Sequence, residues 1–251
     1  MIPSSWAKQS VWIHGWGQSE RVWYQQRALY PEATWVNLPG HGTTPCCEDW
    51  LAYLDQSLPH TPSILVGWSL GGMLAMAFAH RYPHRVAGLV LIGSTAKFFQ
   101  HPDWHFGAPL SVYRAFESGL ASAPEKTLNY FLKLMFHGDG LARKDFNLLV
   151  HGAIDRHHPP SHATLMQGLD LLRDLDLRQP LAKITQPCLL MHGVDDAVVP
   201  LAASEYMAQQ LADATLHRFE ACGHAPFLTQ PQRFEVLLEG WCQNLIQNIS
   251  I

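Results

Sequence analysis

The sequence predicts an α/β fold built on a parallel, doubly wound sheet, and three observations lead there. Short apolar runs recur along the chain with helix-length segments between most of them, and such alternation implies parallel strands joined by crossover helices. The run Ile64-Leu65-Val66 passes into Gly67-Trp68-Ser69-Leu70-Gly71-Gly72 and then into a helical stretch, Met73 to Tyr82. That is a strand-turn-helix junction in which glycines permit a sharp turn and close packing. With 251 residues and 47% hydrophobic content, the chain can bury one α/β core, and one domain with an insertion is expected.

Taken in order, strands are expected at 11–14, 34–37, 63–67, 86–92, 188–192 and 215–219, each a short apolar run suited to a buried sheet. Gly15-Trp16 follows the first, Ser69 the third, Asp195-Asp196 the fifth and Gly223-His224 the last. Sites in open α/β sheets gather at these carboxyl ends. Between 94 and about 180 the strand rhythm stops. Residues 1–94 and 181–251 are therefore the expected core, and 95–180 a helical lid insertion. One lid helix should start at Pro124, a favoured first-turn residue. It would carry Leu128, Phe131, Leu132 and Met135 on one face and Lys126, Tyr130 and Lys133 on the other. A second should follow Ser161 and carry Leu165, Leu169 and Leu172. The insertion's aromatics, among them Phe98, Phe99, Trp104 and Phe116, either line an apolar channel or fasten lid to body; Phe106 and Tyr113 belong to the same set.

Composition excludes several classes. A net charge of −4 with 17 scattered Lys and Arg offers no basic tract, so nucleic acid is not an expected partner. No stretch approaches the roughly 18 apolar residues of a membrane span, and no apolar leader precedes the first strand. The expected protein is cytoplasmic and monomeric. Five cysteines, odd in number and without C-x-x-C spacing, read as reduced thiols rather than a disulfide framework or zinc site. The densest histidine group, His157-His158-Pro159-Pro160-Ser161-His162, is broken by prolines, and His101 with His105 supplies only two ligands. No metal is expected.

Ester cleavage by serine needs a base for the hydroxyl proton, an acid to orient that base, and donors for the developing oxyanion. Ser69 is the candidate nucleophile. Asp196 stands in a G-x-x-D-x-x-V-P arrangement, Gly193 to Pro200, with Asp195 as the alternative acid, and His224 is flanked by small residues that let it reach inward. Cys222, two residues from His224, lacks the thiolate-stabilising setting of a nucleophile. The order Ser69, Asp196, His224 is that of the α/β-hydrolases.

A closer resemblance rests on His14-Gly15-Trp16-Gly17, Leu38-Pro39-Gly40-His41-Gly42, Gly67 to Gly72, Leu175-Asp176-Leu177-Arg178-Gln179-Pro180-Leu181 and Gly223-His224-Ala225-Pro226-Phe227. In this order the motifs resemble the BioH family, the pimeloyl-[acyl-carrier protein] methyl ester esterases of biotin synthesis within the α/β-hydrolase superfamily. The resemblance runs from about residue 11 to the C-terminus and is densest in the body. It implies an α/β-hydrolase fold with a helical lid inserted after the sixth core strand. It also implies Ser69 as nucleophile, His224 as general base and then acid, and Asp196 as the residue that fixes the imidazole tautomer. Backbone N–H groups of Trp16 and Leu70 would hold the oxyanion. Trp16, Trp68, Leu70 and Phe131 would contact substrate, Lys126, Lys133, Arg143 and Lys144 would receive an acyl-carrier protein, and no cofactor would be required. Three features depart from the pattern: Asn37 stands where relatives often have Asp, the N-terminal strand is short, and the lid matches least. Acidic and basic side chains also balance across 95–180, so no net positive field marks a carrier surface. Other readings remain open: a general short-chain esterase, a C–C hydrolase or a menaquinone-pathway lyase of the same fold, and a non-catalytic ligand-binding member.

Overall fold

A computed structural model describes residues 6–249; residues 1–5, part of the stretch read for an apolar leader, lie outside the described residues. Six strands form one sheet: β1 (Ser10–Ile13), β2 (Thr34–Val36), β3 (Ser63–Trp68), β4 (Val86–Ile92), β5 (Cys188–Gly193) and β6 (Ala214–Phe219). Every pairing is parallel, in the order β2-β1-β3-β4-β5-β6. The chain steps outward from β1 to β2 and returns to pair β3 on the other side of β1. That reversal opens a crevice at the carboxyl ends of β1 and β3, where Gly15-Trp16 and Ser69 follow.

The apolar runs form strands because the interior strands have no solvent face. β1, β3 and β5 are buried along their whole length, whereas the edge strands β2 and β6 are part-exposed. Three helices punctuate the first half: α1 (Tyr24–Leu29), α2 (Trp50–Ser57) and α3 (Leu70–Arg81). Helix α3 buries Leu70 to Met76 continuously, as a helix pressed onto the sheet centre must.

Between β4 and β5 the chain is helical: α4 (Leu110–Ser122), α5 (Pro124–Met135), α6 (Arg143–Ala153), α7 (His162–Asp174) and the short α8 (Arg178–Leu181). The insertion follows the fourth described strand and not a sixth, because only β1 to β4 precede it and β5 and β6 come after. Helix α5 begins at Pro124 and buries Phe131, Leu132 and Met135, with Leu128 half-buried and Lys126, Tyr130 and Lys133 exposed. Ser161 caps α7, its Oγ accepting the Thr164 N–H at 3.1 Å. The segment is tied down at its base, where the Leu177 N–H donates to Ala96 O at 2.8 Å and Lys97 pairs with Asp176 at 3.2 Å. Helices α9 (Leu201–Gln210), α10 (Pro226–Thr229) and α11 (Pro231–Ile249) complete the fold. Among the described residues no helix is long and apolar enough to cross a membrane.

Candidate active site

Ser69 sits between the last residue of β3 and the first of α3 with φ +55° and ψ −119°. A non-glycine residue held there is strained by about 1–3 kcal/mol, so its surroundings must over-determine it. They do. The Ser69 N–H donates to Ile92 O at 2.9 Å, while its carbonyl accepts from the Gly72 N–H at 3.0 Å and from Ser94 Oγ at 2.9 Å. The turn also closes only without side chains: a Cβ on Gly71 would lie 2.2 Å from Ile13 O, and one on Gly67 would lie 2.5 Å from Gly71 O.

The loop after β5 brings in the carboxylate. Asp196 is buried, and its Oδ1 accepts the N–H groups of Val198 and Val199 at 2.8 and 2.9 Å. Its Oδ2 lies 2.7 Å from His224 Nδ1. Facing a carboxylate, Nδ1 carries the ring hydrogen of the neutral imidazole, which leaves a lone pair on Nε2. That nitrogen is buried and makes no hydrogen bond within the protein. Gly93, the residue after β4, leaves room for the ring, since a Cβ there would come within 3.0 Å of Nδ1. Asp195 is exposed, and only its backbone takes part, donating to Cys222 O at 3.0 Å.

A further side chain in this cluster, His192, was not anticipated. Its Nε2 faces two acceptors, Val199 O at 2.8 Å and Asp196 Oδ2 at 3.2 Å, so it carries the hydrogen; Ser204 Oγ lies 2.6 Å from Nδ1. Burial alone would push the Asp196 carboxyl up, but attraction and hydrogen bonds from His224 and His192 outweigh it and hold the group well below the usual carboxylate range. The only local signal for His192 was its place at the carboxyl end of β5. Burial pushes the Cys222 thiol up to about 12, which leaves no thiolate near neutrality.

The Leu70 N–H opens α3 and so has no intrahelical acceptor; Trp16 stands in the loop after β1. The Trp16 indole is locked in place by donating to Leu165 O at 2.8 Å and by edge contact with Phe131 at 5.0 Å. Both rings line an apolar cavity of about 310 Å³, with Phe98, Phe99 and Phe116 from the insertion and Val198 beside Asp196. Ser69 and His224 are not among its lining residues. Neither are two residues expected to contact substrate. Trp68 is fully buried, its Nε1 donating to His224 O at 2.9 Å and its ring packed on His224, with centroids 5.4 Å apart, and on Trp23 and Phe227. The Leu70 side chain is wholly buried as the first turn of α3. Of the insertion aromatics, Trp104 serves as glue, against Tyr206 of α9, and Tyr113 bonds Asp170 and Arg173 of α7.

Lys126 and Lys133 project from α5, and Arg143 and Lys144 are exposed on α6, where with His151 and Arg156 they rim an open groove. His157, His158 and His162 are exposed. Among the described residues no three His, Cys, Asp or Glu side chains converge as metal ligands.

Residues 11–236 match the family model described as the alpha/beta hydrolase family. A protein of Aromatoleum aromaticum named pimeloyl-[acyl-carrier protein] methyl ester esterase is 41% identical over 91% of this chain and 96% of its own length. A protein of the same name from Nitrosomonas europaea is 39% identical, covering 89% and 91%. Among solved structures, an esterase from Exiguobacterium antarcticum superposes with a TM-score of 0.83 at 26% identity, covering 93% of this chain and 91% of that one. MenH from S. aureus, at 19% identity and TM-score 0.78 over 95% and 94%, shares the fold. With the sheet order, the elbow and the Asp196–His224 pair in place, these similarities show that the chain belongs to the α/β-hydrolase family and, within it, to the pimeloyl-[acyl-carrier protein] methyl ester esterases.

Proposed function

We propose that this chain is a carboxylesterase that removes the methyl ester from a pimeloyl thioester carried on acyl-carrier protein. Ser69 Oγ attacks the ester carbonyl while His224 Nε2 takes its proton, and Asp196 stabilises the resulting imidazolium. The N–H groups of Leu70 and Trp16 receive the oxyanion, a contribution of about 3–4 kcal/mol per donor where such donors have been removed. His224 returns the proton to the departing methanol. Water, deprotonated by the same nitrogen, then releases the acyl group as a carboxylate. Nothing in this sequence calls for a cofactor, and in this reading the enzyme works as a monomer in the cytoplasm.

The observation that carries the reading is the buried Asp196–His224 hydrogen bond, with its unpartnered Nε2, assembled at the carboxyl ends beside the Ser69 elbow. The apolar cavity past Trp16 and Phe131 suits a polymethylene chain, worth about 0.8 kcal/mol per buried CH₂. Lys126 and Lys133 on α5, with Arg143 and Lys144 on α6, would meet an acidic carrier at the lid rim. The test is complementation of a biotin-requiring strain that lacks its own methyl esterase. Growth with the intact gene and none with Ser69→Ala is the expected result; growth with neither would overturn the pathway assignment.

A further inference from the structure

The loop that carries His224 is held from the lid side. The His224 N–H donates to Met135 O, the last carbonyl of α5, at 2.8 Å. The neighbouring Gly223 N–H donates to Asp139 Oδ1 at 3.0 Å. Between them the chain makes a tight turn with Gly138 at φ +87°, where a Cβ would stand 2.2 Å from Asp195 Cβ. A Cβ on Gly223 would meet His137 O at 2.5 Å and Asp139 Oδ2 at 2.9 Å. The turn 136–140 is thus wedged between the loop bearing Asp196 and the loop bearing His224. There the insertion touches both loops at once, through Asp195 on one and Gly223 on the other.

Asp139 is an expensive residue to place there. Its Oδ2 is buried and makes no close hydrogen bond, although the Thr229 hydroxyl and Cys222 thiol stand near the carboxylate, and burial raises its carboxyl above the ordinary range. A position that only needed filling would be apolar, because a buried carboxylate oxygen without a donor costs free energy. The carboxylate's close hydrogen bond, at 3.0 Å, is from the amide that precedes His224.

We propose that Asp139 is a positioning residue for the esterase reaction: from the lid it fixes the His224 loop through Gly223 and thereby makes the base's alignment depend on a seated lid. The inference rests on His224 being the general base. A displacement of the imidazole by about 1 Å can lower turnover about 100-fold without touching the groups that bind substrate, so the effect belongs in kcat.

The test uses Asp139→Ala and Asp139→Asn of the full chain with a short p-nitrophenyl ester, which needs no carrier. Rates are normalised to active sites titrated by a fluorophosphonate at Ser69. Asp139→Ala should lose about 10- to 100-fold in kcat with KM nearly unchanged. Asp139→Asn, which keeps an acceptor oxygen at the same reach, should recover most of that loss. If Asp139→Ala fails to fold, Asp139→Ser withdraws the acceptor more gently and should show the same direction. Wild-type kcat per titrated site in Asp139→Ala would overturn the inference, as would an Asn variant as impaired as the Ala variant. A wild-type enzyme that takes no label at Ser69 would instead overturn the functional reading on which the inference stands.

Discussion

The elbow around Ser69 and the turn around Gly138 in the proposed lid each hold in place a loop of the proposed active site, yet by different means. At the elbow the contacts are backbone on backbone: Gly71 faces Ile13 O and His14 O, and Gly67 faces Gly71 O and the Gly72 backbone. At the lid turn one backbone hydrogen bond, His224 N–H to Met135 O, is joined by side-chain contacts through Asp139 and Asp195, and Gly140, two residues past Gly138, has nothing within 4 Å of an added Cβ. Backbone atoms of a sheet cannot yield without breaking the ladder, whereas a lid side chain can swing aside. The body should therefore fail abruptly when altered and the lid by degrees.

The largest effect should come from Ser69, the proposed nucleophile in the body. Ser69→Ala should lose about 10⁶-fold in kcat and should take up no fluorophosphonate label; a labelled Ser69→Ala protein would move the nucleophile elsewhere. Next comes the acid loop, where two adjacent aspartates face opposite environments. Asp196→Asn should lose about 10⁴-fold, since an amide favours the wrong imidazole tautomer, while Asp195→Asn stays active because the Asp195 side chain is exposed. The reverse ranking would reassign the acid.

Paired glycine replacements measure the contrast directly. Gly71→Ala must drive α3 off β1 and should cost at least about 3 kcal/mol, whereas Gly140→Ala, strained only by its φ of +60°, should cost about 1–2 kcal/mol. Urea unfolding of both variants would decide, and equal losses would remove the distinction between body and lid.

The body should also be the part that responds to acid. His14 and His41 are buried against each other with ring centroids 4.9 Å apart. His14 accepts the Leu38 N–H at 3.0 Å on one nitrogen and bonds Gly15 O at 2.8 Å on the other, so the neutral ring ties together the loops after β1 and β2. Burial holds His14 well below its ordinary value and His41 down at about 4. As pH falls below about 6.5 the unfolded chain binds protons that these folded rings refuse, so stability declines with falling pH. The contribution is complete above about 6.5 and is lost on the way to about 4, up to about 3 kcal/mol for His41. His41→Gln should flatten that slope in unfolding measured across the range. An unchanged slope would assign the acid sensitivity elsewhere.

The smallest effect is expected on the lid surface. Reversing Lys126, Lys133 and Lys144 to Glu should raise KM for the carrier-borne ester several-fold at low salt and much less at high salt, because rim charges act mainly on association. A p-nitrophenyl ester should be hydrolysed as before. Equal kinetics on the carrier substrate would reject this docking face and leave the esterase chemistry standing.

Much of the molecule was legible in the chain because its signals are local. Strand positions fell within one residue of expectation, since an apolar run bounded by glycines and loops fixes where a buried strand starts and ends. The α5 face was readable for the same reason: Phe131 and Leu132 lie about one helical turn before Met135 and bury with it. Trp68 shows where local reading stops: next to Ser69 in sequence, it does not line the apolar cavity but is buried against His224, Trp23 and Phe227, neighbours that are far from it along the chain.

The sequence by itself determined the alternation of strands and helices, the glycine-pinched turn at Ser69, and the order in which an acid and a histidine follow it. Only the tertiary structure decided which aspartate reaches His224, that His192 shares the carboxylate, which lid aromatics line the cavity and which merely fasten it, and that Asp139 grips the histidine loop. The physical reason is distance along the chain. Periodicity and turn chemistry act over a few residues, whereas Asp139 meets Gly223 across 84 positions, a pairing that exists only once the sheet has brought its loops to one edge.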